Sequence, residues 1–287
     1  MGRRISVIGG DLRQSLVADF LAKEGFYVSI YGFDSKHIPK GVNVAESISD
    51  ALSGARTVIL GITPIDDKMN IKTPYWSENI SVSSLLSFTP AGSLIIGGKL
   101  PESFSKFCAG AGIHCVDYAD REDFAVLNAV PTAEGALAIA MNETPFTLYG
   151  SACLVTGFGR IGKILARDLY LLGAKVTCSA RKSADLAWIN SLGYNAVHTG
   201  NLSDIAHNFD IIFNTIPICI FNSALLRNIR PGTLIIDLAS KPGGVDFDAA
   251  SQLGIKAIHA LSLPGKVAPA TAGKIIKDTV ANILNEI

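Results

Sequence analysis

Cysteine is scarce in this chain: there are five in 287 residues, Cys108, Cys115, Cys153, Cys178 and Cys219, and no two are spaced C-x-x-C. An odd set without that spacing argues against a disulfide framework or a thiolate metal site, and points to reduced core thiols. The five histidines are scattered and no H-E-x-x-H run occurs, so no metal site is expected. There is no G-x-S-x-G turn of the kind that carries a hydrolase nucleophile. Charge of either sign gives no excess: 25 basic residues balance 25 acidic ones and form no basic block, which argues against a nucleic-acid partner. No uncharged apolar run approaches the roughly 18 residues of a membrane span. The N-terminal run Met1-Gly2-Arg3-Arg4-Ile5-Ser6-Val7-Ile8 leads straight into a strand, unlike a signal peptide. A cytoplasmic protein with no membrane partner is the expectation.

What the chain does have is apolar material, at 48% of residues, enough for large cores. Its length suggests two domains. Strand-like and helix-like stretches alternate throughout, the pattern of parallel α/β sheets. Strands are expected at 5–8, 27–31, 57–60, 93–96 and 113–116, then at 152–156, 175–178, 211–214, 233–237 and 256–259. The fold class that follows is α/β, with two doubly wound, Rossmann-like parallel-sheet domains. The expected division is 1–130 plus 267–287 for a substrate domain and 131–266 for a nucleotide domain. A connector helix over 123–142 is expected to break at Pro131. A last helix over 269–287, with Ile275, Ile276, Val280 and Ile283 as its buried stripe, should pack back on the first domain. The stretch 63–79 has no period and reads as a lid or binding loop, its Tyr75 and Trp76 arguing against disorder.

Chemistry is most legible at Gly157-Phe158-Gly159-Arg160-Ile161-Gly162, placed between an expected strand and helix with a second strand following. In that setting the first glycine allows the tight turn, the second lets backbone approach a pyrophosphate, and the third lets helix and strand pack closely. The helix N-terminus adds N–H donors and a positive dipole end. An NAD site usually carries an acid at the end of the second strand; here Ser179, Arg181, Lys182 and Ser183 stand there instead, and no carboxylate appears before Asp185. That favours NADP, with its 2′-phosphate, and leaves NAD as the alternative. Loops after later strands, Thr215-Ile216-Pro217 and Leu238-Ala239-Ser240-Lys241, complete the candidate cofactor site.

Ligands of doubly wound sheets lie beyond the carboxyl ends of the strands. Lys241 and Lys266 are therefore candidates for holding carboxylates, with Thr271 beside the first turn of the last helix. Asp120-Arg121-Glu122-Asp123 reads either as a solvated turn or as a carboxylate clamp (Arg121) beside a general base (Asp123), and Glu134 is a further candidate base. Arg13 and Thr63 each follow a first-domain strand. The first half opens with Gly9-Gly10-Asp11 but lacks a third glycine, so it reads as a substrate-holding domain. His259 reads as a packed or backbone-bonded histidine more readily than as an acid.

Together these runs resemble the A subunit of dipicolinate synthase: Gly-Gly-Asp-x-Arg at 9–13, Asp-Arg-Glu-Asp-Phe and Asn-x-x-Pro-Thr-x-Glu-Gly within 120–135, Gly-x-Gly-Arg-x-Gly at 157–162, Asn-Thr-Ile-Pro at 214–217, Asp-Leu-Ala-Ser-Lys-Pro-Gly-Gly-x-Asp-Phe at 237–247 and Leu-Pro-Gly-Lys-Val-Ala-Pro-x-Thr-Ala-Gly at 263–273. The resemblance implies an NADP-linked subunit that works with a flavoprotein B subunit during sporulation. The implied reaction converts dihydrodipicolinate, formed from hydroxy-tetrahydrodipicolinate, to dipicolinate. It further implies a small dicarboxylate substrate held by some of Arg13, Arg121, Lys241 and the 269–272 helix start, with Glu134 or Asp123 as base. A homo-oligomer in the cytoplasm of the mother cell is expected. Two other readings stay open: a nucleotide-binding scaffold that activates the flavoprotein, and a two-domain 2-hydroxyacid or alanine dehydrogenase. The hydroxyacid enzymes place an arginine soon after the strand that here ends in Asp237, where this chain has Ser240 and Lys241.

Overall fold

The computed structural model describes residues 4–287, so the first three residues of the N-terminal run lie outside it. The chain forms two compact units: one from the chain up to Asn128 together with Ala268–Ile287, the other from Ala129–Val267. The first runs β1 (Arg4–Ile8), α1 (Leu12–Lys23), β2 (Tyr27–Tyr31), β3 (Asn43–Val44), α2 (Ile48–Leu52), β4 (Thr57–Ile62), β5 (Asn70–Ile71), β6 (Ile80–Ser81), α3 (Val82–Phe88), β7 (Leu94–Gly98), α4 (Glu102–Gly110), β8 (His114–Asp117) and the start of α5 (Glu122–Glu143). The second continues with β9 (Ala152–Thr156), α6 (Arg160–Leu171), β10 (Lys175–Ala180), α7 (Ser183–Ser191), β11 (Asn195–His198), α8 (Leu202–Ile205), β12 (Ile211–Asn214), α9 (Ser223–Leu226), β13 (Leu234–Asp237), α10 (Phe247–Gln252), β14 (Lys256–His259) and α11 (Leu263–Val267). The last helix, α12 (Pro269–Glu286), belongs to the first unit.

Each unit holds a six-stranded sheet, ordered β3-β2-β1-β4-β7-β8 and β11-β10-β9-β12-β13-β14, with every neighbouring pair parallel. Counted within its own sheet, each is the 3-2-1-4-5-6 order of a doubly wound nucleotide fold. Strands covered on both faces need continuous apolar runs rather than alternation. Ile5, Val7 and Ile8, Val58 to Leu60, Ile211 to Phe213 and Leu234 to Ile236 supply them, all buried. The order reverses between β1 and β4 in one sheet and between β9 and β12 in the other. Those two crevices are where ligands are accommodated in such sheets.

Helix α6 shows how local sequence sets the packing. Leu165, Ala166 and Leu169 lie on its buried face, while Lys163 and Arg167 stay exposed. Gly173, at φ 81°, ends it in the left-handed conformation that glycine adopts without penalty. Leu169→Ala would open a cavity in this core and cost about 2–5 kcal/mol. The final helix buries the expected stripe, Ile275, Ile276, Val280 and Ile283, in a cluster with Val17, Ala18 and Leu21 of α1. Gly273 permits the close crossing: a Cβ there would sit 3.0 Å from both the Arg13 carbonyl and Leu16 Cβ. Lys277 ties the same pair of helices with a 2.5 Å contact to Glu24.

One expectation needs correction, and several short strands were not expected. Pro131 does not interrupt the connector helix; α5 runs unbroken from Glu122 to Glu143. The proline removes one backbone donor, but Ala129, Ala133, Ala136 and Ala140 bury a smooth alanine face on either side of it, and that packing holds the helix together. The segment 63–79 carries a short strand that no period in the sequence announces: Ile71 pairs with Ile80 in the small antiparallel sheet of β5 and β6, and Ile65 bridges Ile71. Finally, β3 and β11 went unread, because both are short edge strands with exposed or half-buried residues and no apolar run. Of the cysteines, Cys108, Cys153 and Cys178 are buried and all five are free; burial pushes the Cys153 thiol up to about 11 and Cys178 to about 12.

Candidate functional site

In the second unit the last residues of five adjacent strands stand in register. Ser179 pairs with Thr156, Thr156 with Asn214, Asn214 with Asp237 and Asp237 with His259. Each ends or nearly ends an apolar strand with a polar side chain, and the side chains are stitched together. Thr156 Oγ1 donates to Asn214 Oδ1 at 2.6 Å, and Asn214 Nδ2 donates to Asp237 Oδ1 at 2.8 Å. The Asp237 carboxylate also accepts the Ala239 and Gly244 amides at 3.1 and 2.7 Å. His259 places Nε2 3.1 Å from the Ala239 carbonyl and stacks on Phe247, so it is bonded to backbone. Thr156, Asn214 and Asp237 are fully buried, so this ladder is a brace that fixes the loops beyond it.

The glycine turn sits on that brace. Gly157 (φ 89°) donates its amide to the Ser179 carbonyl. A Cβ at Gly162 would lie 2.1 Å from the Gly157 carbonyl oxygen, which excludes any side chain there. At Gly159, by contrast, a Cβ would meet nothing within 4 Å. Gly159 is also the N-cap of α6 and offers no side chain to cap it. The turn is therefore tight at Gly162, open at Gly159 and bare at the helix end. These features fit a dinucleotide pyrophosphate. Around it, Phe158 is buried, Arg160 exposed and Ile161 half-buried. Thr215 spends its hydroxyl on the Thr156 carbonyl at 2.8 Å, with Ile216 half-buried and Pro217 exposed beside it. Leu238 and Ala239 are buried, whereas Ser240, Lys241 and, on α11, Lys266 are exposed. Beyond β10, Arg181, Lys182 and Ser183 are exposed. Ser179 is not: it is fully buried, its Oγ 3.4 Å from Thr199 Oγ1, and so cannot be the surface hydroxyl expected for a 2′-phosphate.

The corresponding turn of the first unit is built differently. Asp11 caps α1, accepting from the Arg13 amide at 3.0 Å, and Gln14 Oε1 accepts from the Asp11 amide at 3.1 Å in a reciprocal capping box. Arg13 then folds back on the cap, with Nη2 2.6 Å from Asp11 Oδ2. Burial works against the charge of this guanidinium, but the Asp11 hydrogen bonds outweigh it and hold its pKa above the ordinary arginine value. Glycines here are filled in rather than open. A Cβ at Gly9 would meet Ile71 and Thr73 at 2.9 Å, and one at Gly10 would meet Gln14 at 2.6 Å. The strap from Pro64 to Trp76 crosses the turn, held by Gly10 N–H to the Lys72 carbonyl at 2.9 Å, Lys72 N–H to the Pro64 carbonyl at 2.7 Å and Asp34 N–H to the Tyr75 carbonyl at 2.8 Å. Beneath the strap is a cavity of about 400 Å³, lined by Gly10, Asp11, Gln14, Gly61, Pro64 and Lys72 among others. Thr63, exposed beside it, adopts φ 52°, a strained conformation for a β-branched residue.

Arg121 and Asp123, in the charged run after β8, are paired within the first unit. Arg121 Nε and Nη2 reach the Asp123 carboxylate at 2.9 and 3.0 Å, and Nη1 and Nη2 reach Glu286 at 2.6 and 2.9 Å. The Arg121 hydrogen bond holds the Asp123 carboxyl down at about 2. An arginine already forked onto two carboxylates is a poor clamp for a third, and so weakly basic a carboxylate is a poor proton acceptor at neutral pH. Glu134 is exposed on α5, and Thr271 is exposed on the first turn of α12. Sequence reasoning missed Gln14 and Lys72 at the cavity, as well as the ladder. The ladder did have a signal, a polar residue closing each apolar strand of the second half.

These two sheets define the class: a two-domain α/β protein with the fold of the dehydrogenases. The apo-structure of D-lactate dehydrogenase from Escherichia coli matches at TM-score 0.63 and 14% identity, covering 98% of this chain and 96% of that one; a likeness at this identity shows the fold alone. More narrowly, the chain belongs to the family of dipicolinate synthase A subunits. Residues 4–119 match the family model for the N-terminal domain of the dipicolinate synthase A subunit. The A subunit of dipicolinate synthase from Bacillus subtilis (strain 168) is 36% identical over 288 residues, spanning 100% of this chain and 97% of that protein. The crystal structure of the dipicolinate synthase A subunit from Bacillus halodurans matches at TM-score 0.91 and 32% identity, covering 99% of this chain and 98% of that one.

Proposed function

We propose that this chain is the nicotinamide-nucleotide-binding subunit of a dipicolinate synthase and that it makes dipicolinate from dihydrodipicolinate together with a flavoprotein subunit. The observation that carries this reading is the full-length 36% identity to the dipicolinate synthase A subunit, combined with a glycine turn shaped for a pyrophosphate. The designation of that relative as one subunit of a synthase supports a partner chain. The net change removes one hydride and one proton from the dihydropyridine ring, and aromatisation drives it.

The residues fit the cofactor on three counts: the open side of Gly159, the uncapped α6 terminus, and the exposed Arg181 and Lys182 where an acid would select NAD. We assign NADP on the last of these. The nicotinamide ring, when bound, supplies a two-electron acceptor. The Thr156–Asn214–Asp237 ladder holds the loops that carry Thr215, Ile216, Pro217 and Ser240 at the same strand ends. In this unit Lys241 and Lys266 stay exposed and available to a carboxylate. We assign the protein to the mother-cell cytoplasm of a sporulating bacterium, as a homo-oligomer.

A second reading, in which the chain organises nucleotide and partner while the flavin takes the hydride, is favoured by one feature: Asp123 is locked to Arg121 and unsuited to accept a proton. Supplying the purified chain with dihydrodipicolinate and NADP separates the two. With the flavoprotein and flavin present as well, reduced nicotinamide formed in step with dipicolinate supports the proposal; dipicolinate formed while the nicotinamide stays oxidised supports the second reading. No dipicolinate at all would defeat both. Arg181→Asp should weaken NADP at least tenfold more than NAD, and an equal loss of both would remove the case for NADP.

A further inference from the structure

We infer that the cavity beneath the strap of the first unit is a carboxylate site, with Gln14 and Lys72 as its donors, and that it holds one carboxylate of the ring substrate. The last clause rests on the proposed function; the carboxylate site itself does not.

Gln14 is 0% exposed, yet its Nε2 has no hydrogen-bond partner. The orientation of the amide is not free to change. Oε1 is occupied by the Asp11 N–H in the capping box, so the NH₂ end must face away from the helix terminus. Gln14 lines the cavity. A buried amide donor left unsatisfied costs about 1–3 kcal/mol, so such a group in a cavity wall asks for an acceptor.

The charge balance says which acceptor. Asp11 is the acid of the lining, and Arg13 neutralises it at 2.6 Å. Lys72 is the remaining charge, and no carboxylate lies within ion-pair distance of it among the described residues. The lining therefore includes a lysine without a carboxylate partner and a glutamine with an unmade donor, and its single carboxylate is already neutralised. A bound carboxylate satisfies both. The roughly 400 Å³ volume lies at the lower end of the range for small-molecule pockets and suits a single ring bearing carboxyl groups. The site also lies where β1 and β4 diverge, the crevice at which doubly wound sheets bind ligands. Its strap is pinned by backbone bonds from Gly10 and Lys72, so the Lys72 backbone is fixed before any ligand arrives.

Trp76 gives the test its reporter, since it lies on the strap and packs near Tyr31 at 6.0 Å between ring centroids. The other tryptophan, Trp188, is exposed on α7. In a full-length Trp188→Phe background, Trp76 emission is titrated with pyridine-2,6-dicarboxylate, pyridine-2,6-dicarboxamide, glutarate and inorganic phosphate. Pyridine-2,6-dicarboxylate should change the emission saturably, and the neutral dicarboxamide should bind at least tenfold more weakly. Gln14→Glu keeps the capping acceptor but replaces the donor, and Lys72→Met removes the exposed cation. Each should weaken the dicarboxylate at least tenfold while leaving NADP affinity unchanged. Should Gln14→Glu fail to fold, Lys72→Met decides alone. Dicarboxylate affinity and KM unaltered in the variants, or phosphate bound more tightly than any carboxylate, would overturn the inference even if the enzyme turns over. Conversely, carboxylate binding that is lost in both variants, in a protein that never makes dipicolinate, would uphold the site and defeat only the proposed function.

Discussion

The two sheets share one strand order, yet their first turns are opposites. In the second unit the turn after β9 keeps its glycines empty: Gly159 faces open space and no side chain caps α6. In the first unit the equivalent turn after β1 is already full. Asp11 and Gln14 close the helix terminus, Arg13 cancels the Asp11 charge, and the strap presses against Gly9. The positive end of a helix attracts whatever anion reaches it first. Where the chain supplies a carboxylate of its own, a phosphate is shut out, and the same topology is free to serve a different ligand. The glycines of the two turns thus differ in surroundings: one set keeps an open side at Gly159, the other is filled by a segment of the same chain.

The largest effect should come from filling the tight glycine of the open turn. Gly162→Ala places a methyl 2.1 Å from the Gly157 carbonyl oxygen. The turn must shift, costing about 3 kcal/mol, and nucleotide binding should be lost. Thermal unfolding and an NADP titration would check it; a stable variant with native affinity would show that α6 can move away freely. Asp11→Ala attacks the other turn. It removes a helix cap worth about 1 kcal/mol and strands a guanidinium that is only 9% exposed, for a combined loss of about 2–3 kcal/mol. No nucleotide affinity should appear in the first unit, because Gln14 and the strap still occupy the space around Gly10. NADP bound there by Asp11→Ala, detected as a second site by calorimetry, would break the contrast between the turns. Gly159→Ala should be milder for the fold, under about 1 kcal/mol, since its methyl enters open space. It should nevertheless weaken NADP at least tenfold; unchanged affinity would move the pyrophosphate elsewhere.

The open turn was legible because its chemistry is local. Three glycines, a strand and a helix lie within one short stretch, and their spacing alone specifies the geometry. The apolar strands were legible for a similar reason: burial on both faces demands a continuous run, and 57–60 or 211–214 shows one. The closed turn was not. Gly9-Gly10-Asp11 announces a turn, but what fills it comes from residues some 60 positions away, and no periodicity in 63–79 signals that Thr73 will rest on Gly9. Gln14 reads as an ordinary helix residue until its amide is seen to be half used. Arg121 and Asp123 show the reverse: adjacent charges look available in the sequence, but Glu286, 165 residues on, reaches the guanidinium.

That cluster supplies the smallest predicted effect and separates a structural role from a catalytic one. Arg121 lowers the Asp123 carboxyl to about 2, below the ordinary value of about 3.9. A carboxylate with a depressed folded-state pKa stabilises the protein fully above its unfolded value, and that contribution fades as pH falls through the folded one. Asp123→Asn should therefore lower stability near neutral pH and converge with the parent between about pH 4 and pH 2. The group is more than a third exposed, at 36%, so screening limits the difference to about 0.5–1 kcal/mol, and added salt should shrink it further. Melting curves of the two proteins across that window test the sign directly. Turnover with the flavoprotein should survive the substitution within about threefold, because a carboxylate this strongly held has little basicity to lose. A collapse in kcat at unchanged stability would return Asp123 to the role of base and make the pairing with Arg121 a resting state that substrate displaces.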